Sequence, residues 1–169
     1  MPNGVDLVGV ELKAERITKT AKITLNGDLE QVFALFGPIE EGKWAPGWNP
    51  KVLYLEQGFI EEHMVFITEA HAGQETDYTW TVSKFDKART LVEYTVFAPE
   101  RLWFITISCK EINESAGTEA EITYTYTGFT EKGCQMNRHA LQTMFLEDLK
   151  DWETQINYYL RHKKIMGAK

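Results

Sequence analysis

Residues 137–163 read NRHALQTMFLEDLKDWETQINYYLRHK. Leu141, Met144, Phe145, Leu149, Trp152, Ile156 and Leu160 fall at helical spacing along this stretch. Glu147, Lys150, Asp151 and Glu153 occupy its other side. Such a pattern marks a helix that buries one face and keeps the other in water. It predicts one long amphipathic helix from about Asn137 to Lys163. Because this helix closes the chain, whatever precedes it must supply the surface on which the apolar stripe packs.

What precedes it is mostly strand. Tyr78 to Phe85 alternates, with Tyr78, Trp80 and Val82 opposite Thr79, Thr81 and Ser83. In Leu91 to Phe97, Val92, Tyr94 and Val96 oppose Glu93 and Thr95. Trp103, Ile105, Ile107 and Cys109 share a face of Leu102 to Lys110, and Ile122, Tyr124 and Tyr126 oppose Thr123, Thr125 and Thr127 within Glu119 to Phe129. Period-two alternation gives each strand one buried face and one wet face. Thr79, Thr81, Thr123, Thr125 and Thr127 are therefore expected on the outer, convex side of a sheet. The Tyr, Trp and Ile faces are expected to converge on the closing helix. Val52 to Glu56 and Met64 to Ala70, joined across Gly58 to Glu62, read as a hairpin. Asp86 to Arg89, Pro99-Glu100 and Asn113 to Gly117 read as turns.

Upstream, Ile17 to Leu25 reads as a first strand. Asn26-Gly27-Asp28 turns the chain, and Asp28 is placed to N-cap a short helix carrying Leu29, Val32, Phe33 and Phe36. Gly37-Pro38 stops that helix, and a second helical turn is expected near Ile39 to Lys43. Residues 1 to 13 read as a loosely held lead-in. The expected fold class is α+β: a curved antiparallel sheet of about seven strands around a long C-terminal helix, with two short helices after the first strand.

The bulk numbers agree with one domain over residues 1–169 and a core at about 16–163. The chain has 169 residues, 43% of them hydrophobic, enough for a sizeable interior. A net charge of −7 argues against a nucleic-acid partner, whose phosphates need clustered cations. The basic run Arg161, His162, Lys163 and Lys164 complements the dipole at the end of the helix. Two cysteines, Cys109 and Cys134, are too few for a disulfide framework, and no CxxC occurs. No stretch approaches the ~18 apolar residues of a membrane span, and Met1 to Lys13 has no signal-peptide core. The expectation is a cytoplasmic protein with reduced thiols.

Taken in order, these elements resemble the START-like, or SRPBCC, superfamily with its helix-grip fold, from Ile17 to Leu160. The local likeness rests on Leu29 to Pro38 (LEQVFALFGP), on Gly47-Trp48-Asn49-Pro50, on Tyr124-Thr125-Tyr126-Thr127, and on the closing helix with Trp152. The chain is similar to the bacterial polyketide cyclase/dehydrase-like branch. The resemblance implies a cavity between sheet and helix whose ligand is set by variable residues. An NTF2-like cone has the reverse order of helices and strands, and a lipocalin barrel lacks the early helix.

Candidate chemistry is sparse. His63, Glu69 and His71 lie on or near one strand, but His63 and His71 would stand roughly 26 Å apart if it is extended, too far to share a metal ion. They read as exposed strand-end histidines, and no metal site or cofactor is expected. His139 and Asp148 are too far apart on the helix to pair. Cys109 reads as a buried structural thiol. Glu93 is placed outside with Thr95. No GxSxG, HExxH, P-loop or GxGxxG occurs. No residue emerges as catalytic.

The aromatic residues remain. Trp44 and Trp48 sit in a loop pinned by Pro46, Gly47 and Pro50, and an indole-rich loop escapes water only by closing on an apolar surface. Trp44, Trp48, Trp80, Tyr94, Trp103 and Tyr124, with Met144 and Phe145 from the helix, are the candidate ligand-binding residues. Each could equally fill a solid core. The favoured function is binding of a small hydrophobic or aromatic molecule. A cyclase, aromatase or dehydratase is the enzyme alternative, and a partner-protein module of the same fold is the third.

Overall fold

The structure is a computed structural model that describes residues 14–71, 76–112 and 116–168. The lead-in at 1–13 and part of the turn expected at Asn113 to Gly117 lie outside the described residues.

Seven strands form a single antiparallel sheet in the order β1-β7-β6-β5-β4-β3-β2. They are β1 Glu15–Leu25, β2 Lys51–Tyr54, β3 Val65–Thr68, β4 Tyr78–Asp86, β5 Leu91–Ala98, β6 Arg101–Ile112 and β7 Gly117–Gly128. From β2 to β7 each strand pairs with the next in sequence. Strand β1 instead pairs with β7, so the chain must cross from one edge of the sheet to the other between β1 and β2. Helix α1 (Leu29–Ala34) and a 3₁₀ turn, Glu40–Lys43, make that crossing. Asp28 caps α1 by accepting from the Gln31 amide at 2.9 Å.

The inner face follows from the registers. Ile17, Ala21, Ile23 and Leu25 of β1 stand beside Tyr126, Ile122, Ala120 and Thr118 of β7. Those in turn meet Trp103, Ile107, Cys109 and Glu111 of β6. Ile23, Leu25, Ile122, Ile107 and Cys109 are buried. The threonines expected outside lie on the opposite face, where Thr20 and Thr123 share a hydroxyl contact of 2.8 Å and Thr18 donates to Thr125 at 3.2 Å. They are exposed or half-buried. Thr95 differs: it lies on the outer face in register with Phe104 and Thr81 and is still buried. His63 also departs from expectation. It precedes β3 in a left-handed backbone conformation (φ 67°) and is not part of the strand that would align it with His71.

The closing helix is longer than its apolar stripe suggested. It starts at Glu131, six residues before Asn137, as α2 (Glu131–His139). Its N-cap is Thr130, whose hydroxyl accepts from the Gly133 amide at 3.1 Å. Cys134 thus lies in the helix and not in a turn before it. A π turn over Ala140–Met144 joins α2 to α3, Phe145–His162. Leu141, Phe145, Leu149 and Ile156 are buried against the sheet, each 6% exposed or less.

Three fastenings hold this helix. At its start, a Cβ on Gly133 would sit 2.1 Å from the Glu100 carbonyl, and one on Gly128 would sit 2.7 Å from Cys134. Both positions require glycine because backbone meets backbone there. Near its end, Glu153 accepts from the Thr24 amide at 2.7 Å, and Asn157 bonds the amide of Asn26 and the carbonyl of Thr24. In the middle, Lys19 points inward from β1 and donates to the Leu141 carbonyl at 2.9 Å, with its ammonium 5.5 Å from the centre of the Phe145 ring. A π turn weakens the regular helix ladder, and Lys19 supplies a donor to a carbonyl within it.

Candidate ligand cavity

The packed part of the interior lies toward α1 and the late part of α3. Elsewhere sheet and helix stand apart and enclose two lobes that share Trp80, Ile105, Tyr124 and Asp148. The first lobe, about 380 Å³, lies beside the crossover. Phe66, Trp80, Tyr94, Ile105, Ile107 and Tyr124 form its sheet wall, Asp148, Asp151, Trp152 and Gln155 its helix wall, and Phe36, Pro38, Glu41 and Trp48 its third side. The second, about 730 Å³, runs under the π turn. Tyr78, Arg101, Trp103 and Tyr126 face Met136, His139, Leu141, Met144 and Phe145 across it, and His71 stands at its rim.

The aromatic wall is built from two ring clusters, Trp48, Phe66, Trp80 and Tyr94 in one and Tyr78, Trp103, Tyr126, Tyr124 and Phe145 in the other. Trp80 stacks on Phe66 with ring centres 5.4 Å apart, and Trp48 stands edge-on to Trp80 at 5.6 Å. Tyr94 meets both Phe66 and Trp80 at right angles, and Tyr124 does the same to Phe145. Offset and edge-to-face contacts at these spacings are the favourable ones. Most polar edges of this wall are already engaged. Trp80 donates its indole N–H to Thr68 at 2.9 Å, Trp48 to the Pro38 carbonyl at 2.6 Å, and the Tyr94 hydroxyl to the Phe36 carbonyl at 2.6 Å.

Glu41 and Tyr124 are different. Among the described residues, neither the Glu41 carboxyl nor the Tyr124 hydroxyl has a hydrogen-bond partner in the protein. The Glu41 amide is fixed by a 2.9 Å bond to the Gly37 carbonyl, which aims the short turn at the cavity. Burial pushes its carboxyl from the ordinary 4.5 up to about 8, because a charge there would lose its water without gaining a partner. Asp148 is also held above its ordinary value, first by burial and then by the charges of Asp151 and Glu147. Burial, then the charge of Glu41, drives Tyr94 upward, and Tyr124 is raised by burial, Tyr126, Glu41 and Asp148. Arg101 is a buried cation at the second lobe. It lies 4.8 Å from the Trp103 ring centre and donates to the Asn137 side chain at 3.3 Å and to the Tyr78 hydroxyl at 3.2 Å.

Of the eight residues singled out from sequence, Trp48, Tyr94, Trp80 and Tyr124 surround the first lobe. Trp80 and Tyr124 also reach the second, with Trp103, Met144 and Phe145. Met144 does so while 47% exposed, since the wider π turn carries it off the buried stripe. Trp44 lines neither lobe. It is 1% exposed, donates to the Leu35 carbonyl at 2.8 Å and meets Trp152 edge-on at 5.9 Å, because its loop folds inward behind the 3₁₀ turn. Sequence reasoning missed Glu41, Arg101 and the place of the exposed Asp148 beside both lobes. Nothing local marks Glu41, whose direction depends on the crossover. Glu93 stays outside, bonded to Ser83 and Thr106. Cys109 and Cys134 are buried free thiols. Among the described residues no His, Cys, Asp and Glu cluster could hold a metal ion, and no helix is long and apolar enough to cross a membrane.

No protein-family model and no curated protein matches the sequence. Solved structures do match the fold. Norcoclaurine synthase from Thalictrum flavum aligns with a TM-score of 0.67 over 96% of this chain and 97% of its own, at 9% identity. An aromatase/cyclase from a Streptomyces species gives 0.65 over 88% and 98%, at 12% identity. The major latex-like protein of Panax ginseng gives 0.64 over 86% and 97%, at 14% identity. At such low identity the likeness is one of fold, and it spans almost the whole architecture. With a curved sheet of seven antiparallel strands closed on one long C-terminal helix, the chain has the helix-grip fold of these structures.

Proposed function

We propose that this protein binds a small aromatic or hydrophobic molecule in the space between sheet and helix, as a single ligand-binding domain of the cytoplasm. The observation that carries the reading is the two-lobed cavity walled by Trp48, Trp80, Tyr94, Trp103, Tyr124, Met144 and Phe145. An apolar concavity with a few convergent polar groups is the usual form of a small-molecule site. Burial of an aromatic body supplies the affinity, and the Glu41 carboxyl and Tyr124 hydroxyl orient it. Among proteins of this fold, norcoclaurine synthase has been solved with dopamine and hydroxybenzaldehyde, both small aromatic molecules. The free thiols accord with a reducing compartment. Native mass spectrometry of protein purified from its own host tests the reading, together with quenching of tryptophan fluorescence by aromatic probes and fatty acids. A stoichiometric small molecule or saturable quenching is expected. The absence of both would overturn it and leave the partner-protein reading ahead.

Glu41 favours a second reading, an enzyme of the cyclase or dehydratase type. Such chemistry needs a proton-transfer group that titrates near neutrality inside an apolar cavity, and Glu41 titrates at about 8. Turnover of a model substrate that disappears in Glu41→Gln while binding persists would establish it.

A further inference from the structure

The first lobe is lopsided in charge. Half-buried Glu41 lines it with the exposed Asp148 and Asp151 at its rim, and among the described residues no lysine, arginine or histidine does. The rest of its wall is aromatic or aliphatic apart from Gln155. A purely apolar occupant would leave the half-buried Glu41 carboxyl without a partner, and an anionic occupant would meet like charge. The geometry points to a ligand that carries an ammonium group on an aryl body, with its nitrogen between Glu41 and Asp148 and its ring against Trp48 and Trp80. This deepens the binding reading above and rests on it. Glu41 comes from the crossover turn and Asp148 from the helix, so the two carboxyls approach the lobe from different sides. A cation held between them is neutralised by a charge-assisted hydrogen bond. Indole faces beside it add cation–π attraction, which strengthens as water is excluded.

Binding such a cation must also move a proton. Glu41 holds its proton up to about pH 8, and an ammonium beside it favours the ionised carboxylate. The groups facing it are Tyr94 on β5, Tyr124 on β7, and Asp148 and Asp151 on α3. Both tyrosines are driven well above 10 and stay neutral through this range. Asp148 is raised as well and adds a smaller pH dependence of its own.

The experiment compares two probes of one shape, 2-phenylethylamine and 2-phenylethanol, by tryptophan quenching and calorimetry. At pH 8 the amine should bind about tenfold or more tightly than the alcohol. Its affinity should climb between pH 6 and 8, and calorimetry in buffers of different ionisation enthalpy should show proton release on binding. Glu41→Gln should abolish the climb and most of the preference. Asp148→Asn should reduce the preference in part. Equal binding of amine and alcohol, or a preference that survives Glu41→Gln, overturns the inference and leaves the binding reading standing. No saturable quenching by either probe or by a fatty acid overturns both.

Discussion

Trp44 and Trp48 sit four positions apart in one loop and meet opposite fates. Trp44 is a plug, sealed at 1% exposure against Trp152 and bonded to the Leu35 carbonyl. Trp48 is a wall, half-buried, with one edge bonded to Pro38 and its ring facing the first lobe. The plug belongs to the packed end of the interior, with Leu25, Val32 and Ile156. The wall belongs to the end where carboxyls and a tyrosine hydroxyl point into open space. Both indoles turn away from water, so the hydrophobic effect alone does not separate packed core from cavity wall. The polar atoms do. At the packed end the Trp44 N–H and the Thr118 hydroxyl are both bonded to backbone carbonyls, whereas at the cavity end the Glu41 carboxyl and the Tyr124 hydroxyl have no protein partner among the described residues.

Substitutions should resolve the two ends. The largest effect is expected for Trp44→Ala, a loss of about 3–5 kcal/mol in chemical denaturation because it opens a void in packed core. Trp48→Ala should cost clearly less and should instead speed ligand exchange in stopped-flow quenching. Equal losses of stability at the two positions would erase the distinction between plug and wall.

Glu41→Gln comes next, and its sign depends on pH. In the unfolded chain Glu41 ionises near 4.5, whereas in the folded protein it keeps its proton up to about 8. Folding therefore binds a proton between these values, and the contribution of this group to stability is full below about 4.5 and declines as pH rises to about 8. The variant should match the parent near pH 4 and exceed it at pH 8 by on the order of 2–4 kcal/mol, less if cavity water reaches the carboxyl. Denaturation midpoints measured across that range would check it; a parent more stable than the variant at pH 8 refutes an unpartnered carboxyl whose pKa is raised by desolvation.

Lys19→Met tests the boundary between the two ends. Removing the donor to the Leu141 carbonyl should cost about 1–3 kcal/mol, with faster amide exchange around the π turn. The smallest effect belongs to the outer face. Thr125→Ser keeps the hydroxyl that meets Thr18 and should stay within about 0.5 kcal/mol of the parent by thermal denaturation.

The fold was legible because it is written in periodicities. Alternation in Tyr78 to Phe85 and Ile122 to Thr127 assigned inner and outer faces that the registers reproduce, and Asp28 marked its helix by local chemistry. The start of the closing helix was not legible. Glu131 to Met136 is polar and holds Gly133, so it lacks the apolar stripe, and its place is set by Thr130 and by contact with the Glu100 carbonyl. The cavity was half legible. Aromatic residues on alternating strands announce their face, which brought Trp80, Tyr94, Trp103 and Tyr124 to the inside. Nothing in Glu40-Glu41-Gly42-Lys43 tells which carboxyl turns inward, since that depends on where the crossover lands on the sheet. Trp44 and Trp48 look alike for the same reason: a loop's inner and outer bend is a tertiary fact.

The closing helix is fastened like a beam at both abutments, by the glycine contacts of Gly128 and Gly133 at one end and by Glu153 and Asn157 gripping β1 at the other. Contacts at both ends resist a swing of the whole helix away from the sheet. The place left to flex is midspan, the π turn over the larger lobe, where Lys19 donates to the Leu141 carbonyl from below. Entry and release should therefore register as faster or slower amide exchange at residues 140–145, while both abutments stay protected throughout.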